Sequence, residues 1–258
     1  MKILLTNDDG IHAEGLWALY RRLRHHHEVC VVAPDRERTA VGHAITLNRP
    51  LRAAEVVVNG GLQGFAVSGT PADCVILGLK EILSRPPDMV IAGINPGANV
   101  GNNINYSGTV AAAREAALCG LPAISVSVKG FAVRHYDAAA AFACRLVETV
   151  GARGLPFGTF LNVNLPDIPL GTIRGVRISR LGIVPAKEGL EKRVDPRNRT
   201  YYWHGGSFQE FDAEPDFDGT AVNERWISVT PIKCDTTDYG LAEQIKSWEL
   251  EKSLQETG

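Results

Sequence analysis

Ile3-Leu4-Leu5-Thr6-Asn7-Asp8-Asp9-Gly10, at the start of the chain, is a short apolar run followed by two adjacent carboxylates and a glycine. Such a run, with no polar alternation, reads as a strand buried on both faces, and open α/β sheets place their ligand crevice at the carboxyl ends of strands of this kind. Two acids crowded there repel each other and lose hydration, and a bound cation is the natural way to keep both ionised. Asp8 and Asp9 are therefore a candidate metal pair. The plainer alternative is turn chemistry, with one acid capping the next helix and the other facing water.

Downstream, strand-like and helix-like segments alternate. A helix is expected over residues 16–24, then a strand over 29–33 and another at 65–67. Thr70 is the N-cap of the following helix, with Pro71 at its first position and Asp73 at its positive end, and the helix should run to about residue 83. Strands at 89–92, 124–128 and 160–163 then enclose helices at 110–118 and 138–150. This alternation predicts an α/β fold: a doubly wound, mostly parallel, Rossmann-like sheet with helices on both faces.

Near Ile183 the composition changes. The stretch 183–223 carries Tyr201, Tyr202, Trp203, Phe208, Phe211 and Phe217 among charges, glycines and prolines, too aromatic for a disordered linker. It reads as an extended arm or hairpin docking on a neighbouring subunit, with a lid over the active site or a local packing layer as alternatives. A strand at 226–229 and an amphipathic helix over about 241–254 complete the chain. The expected division is a catalytic α/β domain over 1–182, followed by an oligomerisation arm, final strand and C-terminal helix over 183–258.

Composition narrows the class of function. At 258 residues and 45% hydrophobic content the chain can build a substantial core, so disorder is excluded. With 27 basic against 29 acidic residues and no basic stripe, polymeric nucleic acid is not an expected partner. The N-terminus lacks the layout of a signal peptide and the apolar stretches are strand-sized, so a soluble cytoplasmic protein is expected. Cys30, Cys74, Cys119, Cys144 and Cys234 are widely spaced, with no C-x-x-C pair, and read as reduced packing residues.

The chemistry gathers in three loops, all following strands. The first is Asp8-Asp9-Gly10 and the second is the polar run from Ala33 to His43, which includes Thr39. The third spans Gly93 to Asn103 and continues through Tyr106-Ser107-Gly108-Thr109 into a helix. Its small residues let backbone amides approach a ligand, and Ser107 to Thr109 at a helix N-terminus suit a phosphate. A glycine- and asparagine-rich turn with Thr109 as N-cap is the plainer account. Neither G-x-G-x-x-G nor the Walker pattern is present, so dinucleotide and P-loop readings are weak. His25-His26-His27 lies at a helix end, where imidazoles bond the last carbonyls. His43 either contacts phosphate, acts as an acid or orders its loop. Arg114 and Glu115 are expected on the outer face of their helix.

Several uncommon strings occur in one order: Ile3 to Gly10, Ala33-Pro34-Asp35-Arg36, Ser68-Gly69-Thr70-Pro71-Ala72-Asp73, Gly93-Ile94-Asn95-Pro96-Gly97-Ala98-Asn99, Tyr106-Ser107-Gly108-Thr109-Val110-Ala111-Ala112 and Val229-Thr230-Pro231. In these the chain resembles the SurE (survival protein E) phosphatases over most of residues 1–240. The resemblance implies a 5′-nucleotidase: a phosphomonoesterase acting on nucleoside 5′-monophosphates, also on 3′-monophosphates and on short polyphosphate. It further implies one divalent ion per subunit held by Asp8, Asp9, a hydroxyl in the second loop and Asn95, and a homodimer or homotetramer. The family's usual serine at the hydroxyl position is Thr39 here, which keeps the oxygen but adds a methyl and stiffens the side chain. Four oxygen ligands suit Mg²⁺ or Mn²⁺, whereas zinc would want histidine or cysteine. Asp8 and Asp9 are then the catalytic pair, while Ser107, Gly108, Thr109, Asn95 and His43 are the candidates for holding the phosphate.

Two rivals share parts of this pattern. A receiver-like signalling domain, binding phosphate and metal without turnover, needs a third aspartate and a lysine, but Asn95 stands after the strand at 89–92. A haloacid-dehalogenase-like phosphatase needs D-x-D after its first strand, where this chain has adjacent aspartates.

Overall fold

The computed structural model describes residues 1–58, 60–185, 189–205, 214–248 and 250–251. Its first strand, β1 (Lys2–Thr6), is buried at every position. Ile3 and Leu5 point into one apolar layer and Leu4 into another, which is the period-2 alternation of a strand covered on both faces. Each such side chain, moved fully out of water, contributes about 1.5–3 kcal/mol.

Helix α1 (Glu14–Leu23) turns Leu16, Leu19 and Leu23 inward at helical spacing. The chain continues through β2 (Glu28–Pro34), β3 (Ala53–Val58), β4 (Leu62–Val67), α2 (Pro71–Leu77) and β5 (Met89–Pro96). Then come α3 (Gly108–Leu118), β6 (Ala123–Val128), α4 (Tyr136–Arg153), β7 (Thr159–Leu165) and β8 (Val176–Ile178). The last elements are β9 (Gly189–Val194), β10 (Thr200–Gly205), α5 (Asp218–Asn223), β11 (Ile227–Lys233) and α6 (Tyr239–Lys246).

The main sheet has the order β3-β4-β2-β1-β5-β6-β7-β11-β8. Strands β4 to β7 in that order are parallel, while β3 and β11 pair antiparallel to β4 and β7. Helices α1 and α4 cover one face, and α2 and α3 the other. The alanine-rich α3 buries Ala112, Ala113 and Ala116 completely, so its backbone lies close to the sheet. The fold is thus the expected doubly wound α/β sheet. Its order reverses between β1 and β5, and that reversal opens a crevice at their carboxyl ends, where Asp8-Asp9 and Asn95 stand.

Several local expectations change. Thr70 is the N-cap of α2, as expected, and the structure adds a reciprocal capping box with Asp73, but the α-helix stops at Leu77 and continues as a π-helical turn, Gly78–Ile82. β3 was not expected; it is an edge strand, mostly exposed, and so lacks a continuous apolar signature. Strands β9 and β10 form a separate antiparallel hairpin within the aromatic stretch. Phe208 and Phe211 lie outside the described residues, as does residue 249 and everything after 251 within the expected terminal helix. Among the described residues, no helix is long and apolar enough to cross a membrane.

Candidate active site

The turn after β1 is closed by Asn7, whose Nδ2 donates to the Gly10 carbonyl at 3.0 Å and whose Oδ1 accepts from the Gly10 amide at 3.2 Å. Gly10 adopts φ +97°, and a Cβ there would lie 2.9 Å from the Arg36 backbone, so this position requires glycine. The second loop comes in over the first by that close approach, and the Arg38 amide donates to the Asp8 carbonyl at 2.7 Å.

Asp8 is buried against the N-terminus of α3. The Thr109 hydroxyl donates to its Oδ1. Burial raises the Asp8 carboxyl above its ordinary value, while the Thr109 hydroxyl and the Gly108 and Thr109 amides oppose that rise. The contact depends on Gly108, because a Cβ there would lie 2.7 Å from the Asp8 Cβ. The positive end of α3 therefore already faces a carboxylate. Ser107, not Thr109, is the N-cap: its hydroxyl oxygen accepts from the Val110 amide at 3.1 Å and keeps its own proton for another acceptor.

Asp9 differs from Asp8 in having a buried Oδ2 with no hydrogen-bond partner among the described residues. Its carboxyl is pushed up to about 7, first by burial, then by the charges of Asp8 and Glu37. Glu37 also accepts a hydrogen bond from the Thr39 hydroxyl, so the exposed Thr39 offers its oxygen lone pairs elsewhere. Asn95, at the end of β5, donates through Nδ2 to the Gly97 carbonyl at 2.7 Å and the Pro96 carbonyl at 3.2 Å. With its nitrogen committed, Oδ1 is the atom left for a ligand.

The second and third loops are joined where the Gly42 amide donates to the Tyr106 carbonyl at 2.9 Å. His43 Nε2 lies 2.8 Å from Glu115 Oε2. Glu115 therefore faces the second loop, contrary to the expected outward orientation. It sits about 10 Å along α3 from Gly108 at 1.5 Å per residue, so this contact makes His43 an anchor of its loop. His27 pairs with Glu148 at 2.9 Å beside the helix end, away from the crevice. The cysteines are free, and Cys119 is exposed, so it is not the packing residue expected.

Three groups have partners that the sequence does not show. Asn99 lies buried in an amide network with Ser127, Asn162 and Asn164, at 2.8–3.0 Å. The buried Asp218 carboxylate accepts from the amides of Gly101 at 3.0 Å, Gly182 at 3.1 Å and Gly219 at 2.9 Å, which ties the third loop to the start of the arm. Tyr136, half-buried, has its hydroxyl pushed up to about 12 by burial and by the charges of Asp9, Glu14 and Asp167. Distance along the chain hides all three.

Among the described residues no cluster of three or more histidine, cysteine or acidic side chains is set to hold a metal. A set of two aspartates, a hydroxyl and a carboxamide is nonetheless a hard-oxygen set, and the partnerless Asp9 Oδ2 is the orphan that a cation satisfies. The residues present fit a small divalent ion.

A family model described as Survival protein SurE matches residues 3–188. The chain is 57% identical over 252 residues to the 5′-nucleotidase SurE of Desulfatibacillum aliphaticivorans, covering 98% of this chain and 100% of the relative. It is 47% identical over 250 residues to the 5′-nucleotidase SurE of Syntrophobacter fumaroxidans, covering 97% and 100%. The crystal structure of the SurE protein from Aquifex aeolicus superposes with a TM-score of 0.85 at 37% identity, over 96% of this chain and 100% of that one.

Proposed function

Because this chain belongs to the SurE family, we propose that it is a 5′-nucleotidase, hydrolysing nucleoside 5′-monophosphates to nucleoside and phosphate with a divalent ion, Mg²⁺ or Mn²⁺. The observation that carries this reading is Asp9 Oδ2, buried and, among the described residues, without a hydrogen-bond partner, beside a second carboxylate at the switch point of the sheet. Asp8, Asp9, Thr39 and Asn95 would hold one ion per subunit. Such an ion supplies charge that polarises the phosphoryl group.

The protein's own groups do the rest. Asp8, fixed by Thr109, keeps its place while substrate enters. The Ser107 proton is free to bond a phosphate oxygen, and the α3 N-terminus adds its dipole. One of the two carboxylates receives the proton of the attacking water. His43, held by Glu115, orders the second loop around the ester. The same site admits 3′-monophosphates and short polyphosphate, and the aromatic arm joins subunits into a dimer or tetramer.

The test is phosphate release from nucleoside 5′- and 3′-monophosphates and tripolyphosphate, after chelation and restoration of Mg²⁺, Mn²⁺ or Zn²⁺, alongside Asp8→Asn. Release restored by Mg²⁺ or Mn²⁺ and lowered at least ~100-fold in the variant is the expected result, on the scale of losing one electrostatic stabiliser. No release with any ion from folded protein would sink the reading and favour binding without turnover.

A further inference from the structure

Asn162 and Asn164 lie two residues apart on β7 and so project from the same face of the sheet, where both are fully buried. Ser125 and Ser127 of β6 stand in register beside them and are buried as completely. Apolar side chains would fill this layer with no further demand, whereas buried amides and hydroxyls cost free energy unless they are hydrogen-bonded. Their bonds converge on one residue of the third loop, Asn99. The Asn162 and Asn164 Nδ2 groups both donate to the Asn99 carbonyl, at 2.8 and 3.0 Å. The Asn99 amide donates to Asn164 Oδ1 at 2.8 Å, and Asn99 Nδ2 to Ser127 Oγ at 2.9 Å. The Ser125 hydroxyl donates to Asn162 Oδ1 at 2.9 Å, which orients that carboxamide.

Asn164 thus grips the amide and the carbonyl of Asn99 together, as the peptide group of a neighbouring strand would. The third loop needs such a hold because β5 loses its register at this end: Ala92 pairs with Ser125 but Asn95 with Ser127, three steps on β5 against two on β6. Beyond that bulge Asn95 is oriented by its own loop, through its bonds to the Pro96 and Gly97 carbonyls. Those carbonyls can aim Asn95 only if the loop itself is fixed. The Gly97 amide fixes it once, donating to the Val128 carbonyl at 2.8 Å, and Asn99 fixes it again two residues later.

We infer that Asn164, supported by Asn162 and Ser127, is a positioning residue of the active site: it holds Asn99, through Asn99 the turn at Gly97, and so directs Asn95 Oδ1 toward the divalent ion. This rests on the reading above in which Asn95 is one of the ion's ligands. A buried polar network in which the members satisfy one another is rigid, and groups that orient a metal ligand contribute to affinity without touching the metal.

The test is a double-mutant cycle read by calorimetric titration of Mn²⁺ into the metal-free protein: parent, Asn164→Ala, Asn95→Ala and the two combined, with urea midpoints for each. Asn164→Ala should weaken Mn²⁺ binding about 10-fold, as losing the partner of a metal ligand does. The double variant should bind no more weakly than Asn95→Ala alone, although Asn164→Ala lowers the urea midpoint in both backgrounds. A lowered midpoint with unchanged Mn²⁺ affinity, or the same loss of affinity with and without Asn95, overturns the inference and leaves a purely structural network. Should Asn164→Ala fail to fold, Ser127→Ala, which removes only the acceptor of Asn99 Nδ2, replaces it in the cycle with the same pattern expected. Unchanged affinity in Asn95→Ala overturns the inference together with the assignment of Asn95 as a ligand. Phosphate release by the parent protein, measured alongside, decides separately whether the nucleotidase reading stands.

Discussion

Asp8 and Asp9 are neighbours in sequence but differ in surroundings. Asp8 has a hydroxyl donor and a helix end, whereas Asp9 has a partnerless oxygen and two negative neighbours. One of those neighbours, Glu37, also takes the Thr39 proton, which leaves the threonine oxygen as an acceptor-only group. Glu37→Ala should therefore weaken Mn²⁺ binding about 10-fold, as losing the partner of a metal ligand does, and Glu37→Gln should recover most of it. Titration calorimetry of the metal-free protein reads this directly, and equal affinity in parent and Glu37→Ala would refute it. The placement of Asp8, Asp9 and Asn95 at strand ends is legible in the sequence because it is local to the apolar runs before them. That of Glu115 and Asp218 is not, since each acts on a group 72 or 117 residues away. A hydrogen bond of that span leaves no spacing to read.

Strands β1, β5 and β6 were legible because burial on both faces writes an unbroken apolar run, and α2 because its cap is written in Thr70, Pro71 and Asp73. β3 is hidden by edge exposure, and the N-cap of α3 reads two residues late in the sequence because Ser107 and Thr109 are both able to cap. The junction of α3 with β1 rests on a missing methyl. Gly108→Ala would press a Cβ to within 2.7 Å of the Asp8 Cβ and 3.0 Å of Pro71 Cγ, displacing the helix start. It should cost about 1–3 kcal/mol in urea unfolding and lower turnover too; unchanged stability would mean that the interface yields freely. Helix α5 contributes differently, through Asp218. Burial raises this carboxyl above 3.8, so the folded chain keeps a proton that the unfolded chain has lost, and stability falls as pH rises from 3.8 through the folded value. Asp218→Asn should flatten that slope in urea midpoints measured across the window, and an equally steep slope in the variant would place its origin at another acid.

The assembled molecule is harder to read than its parts, because strand order is decided by packing. Nothing in the sequence of β11 says that it enters antiparallel beside β7 and parallel beside β8, yet it does, so residues after 182 help to build the main sheet. The hairpin of β9 and β10 stands apart from that sheet. A two-stranded ribbon is marginal in water unless another surface covers it. This one exposes Leu190, Val194, Tyr201, Tyr202 and Trp203, apolar and aromatic area of the kind that marks an interface. A second copy of the chain is the cover proposed here, in keeping with the closed symmetry of most soluble oligomers. Sedimentation at micromolar concentration should then give a dimer or tetramer, and Tyr202→Glu with Trp203→Glu should shift it toward monomer while phosphate release, if the crevice is complete within one subunit, persists. A parent protein that sediments as a monomer would overturn the assignment. Loss of both assembly and activity in the charged variant would instead mean that the neighbouring subunit completes the crevice.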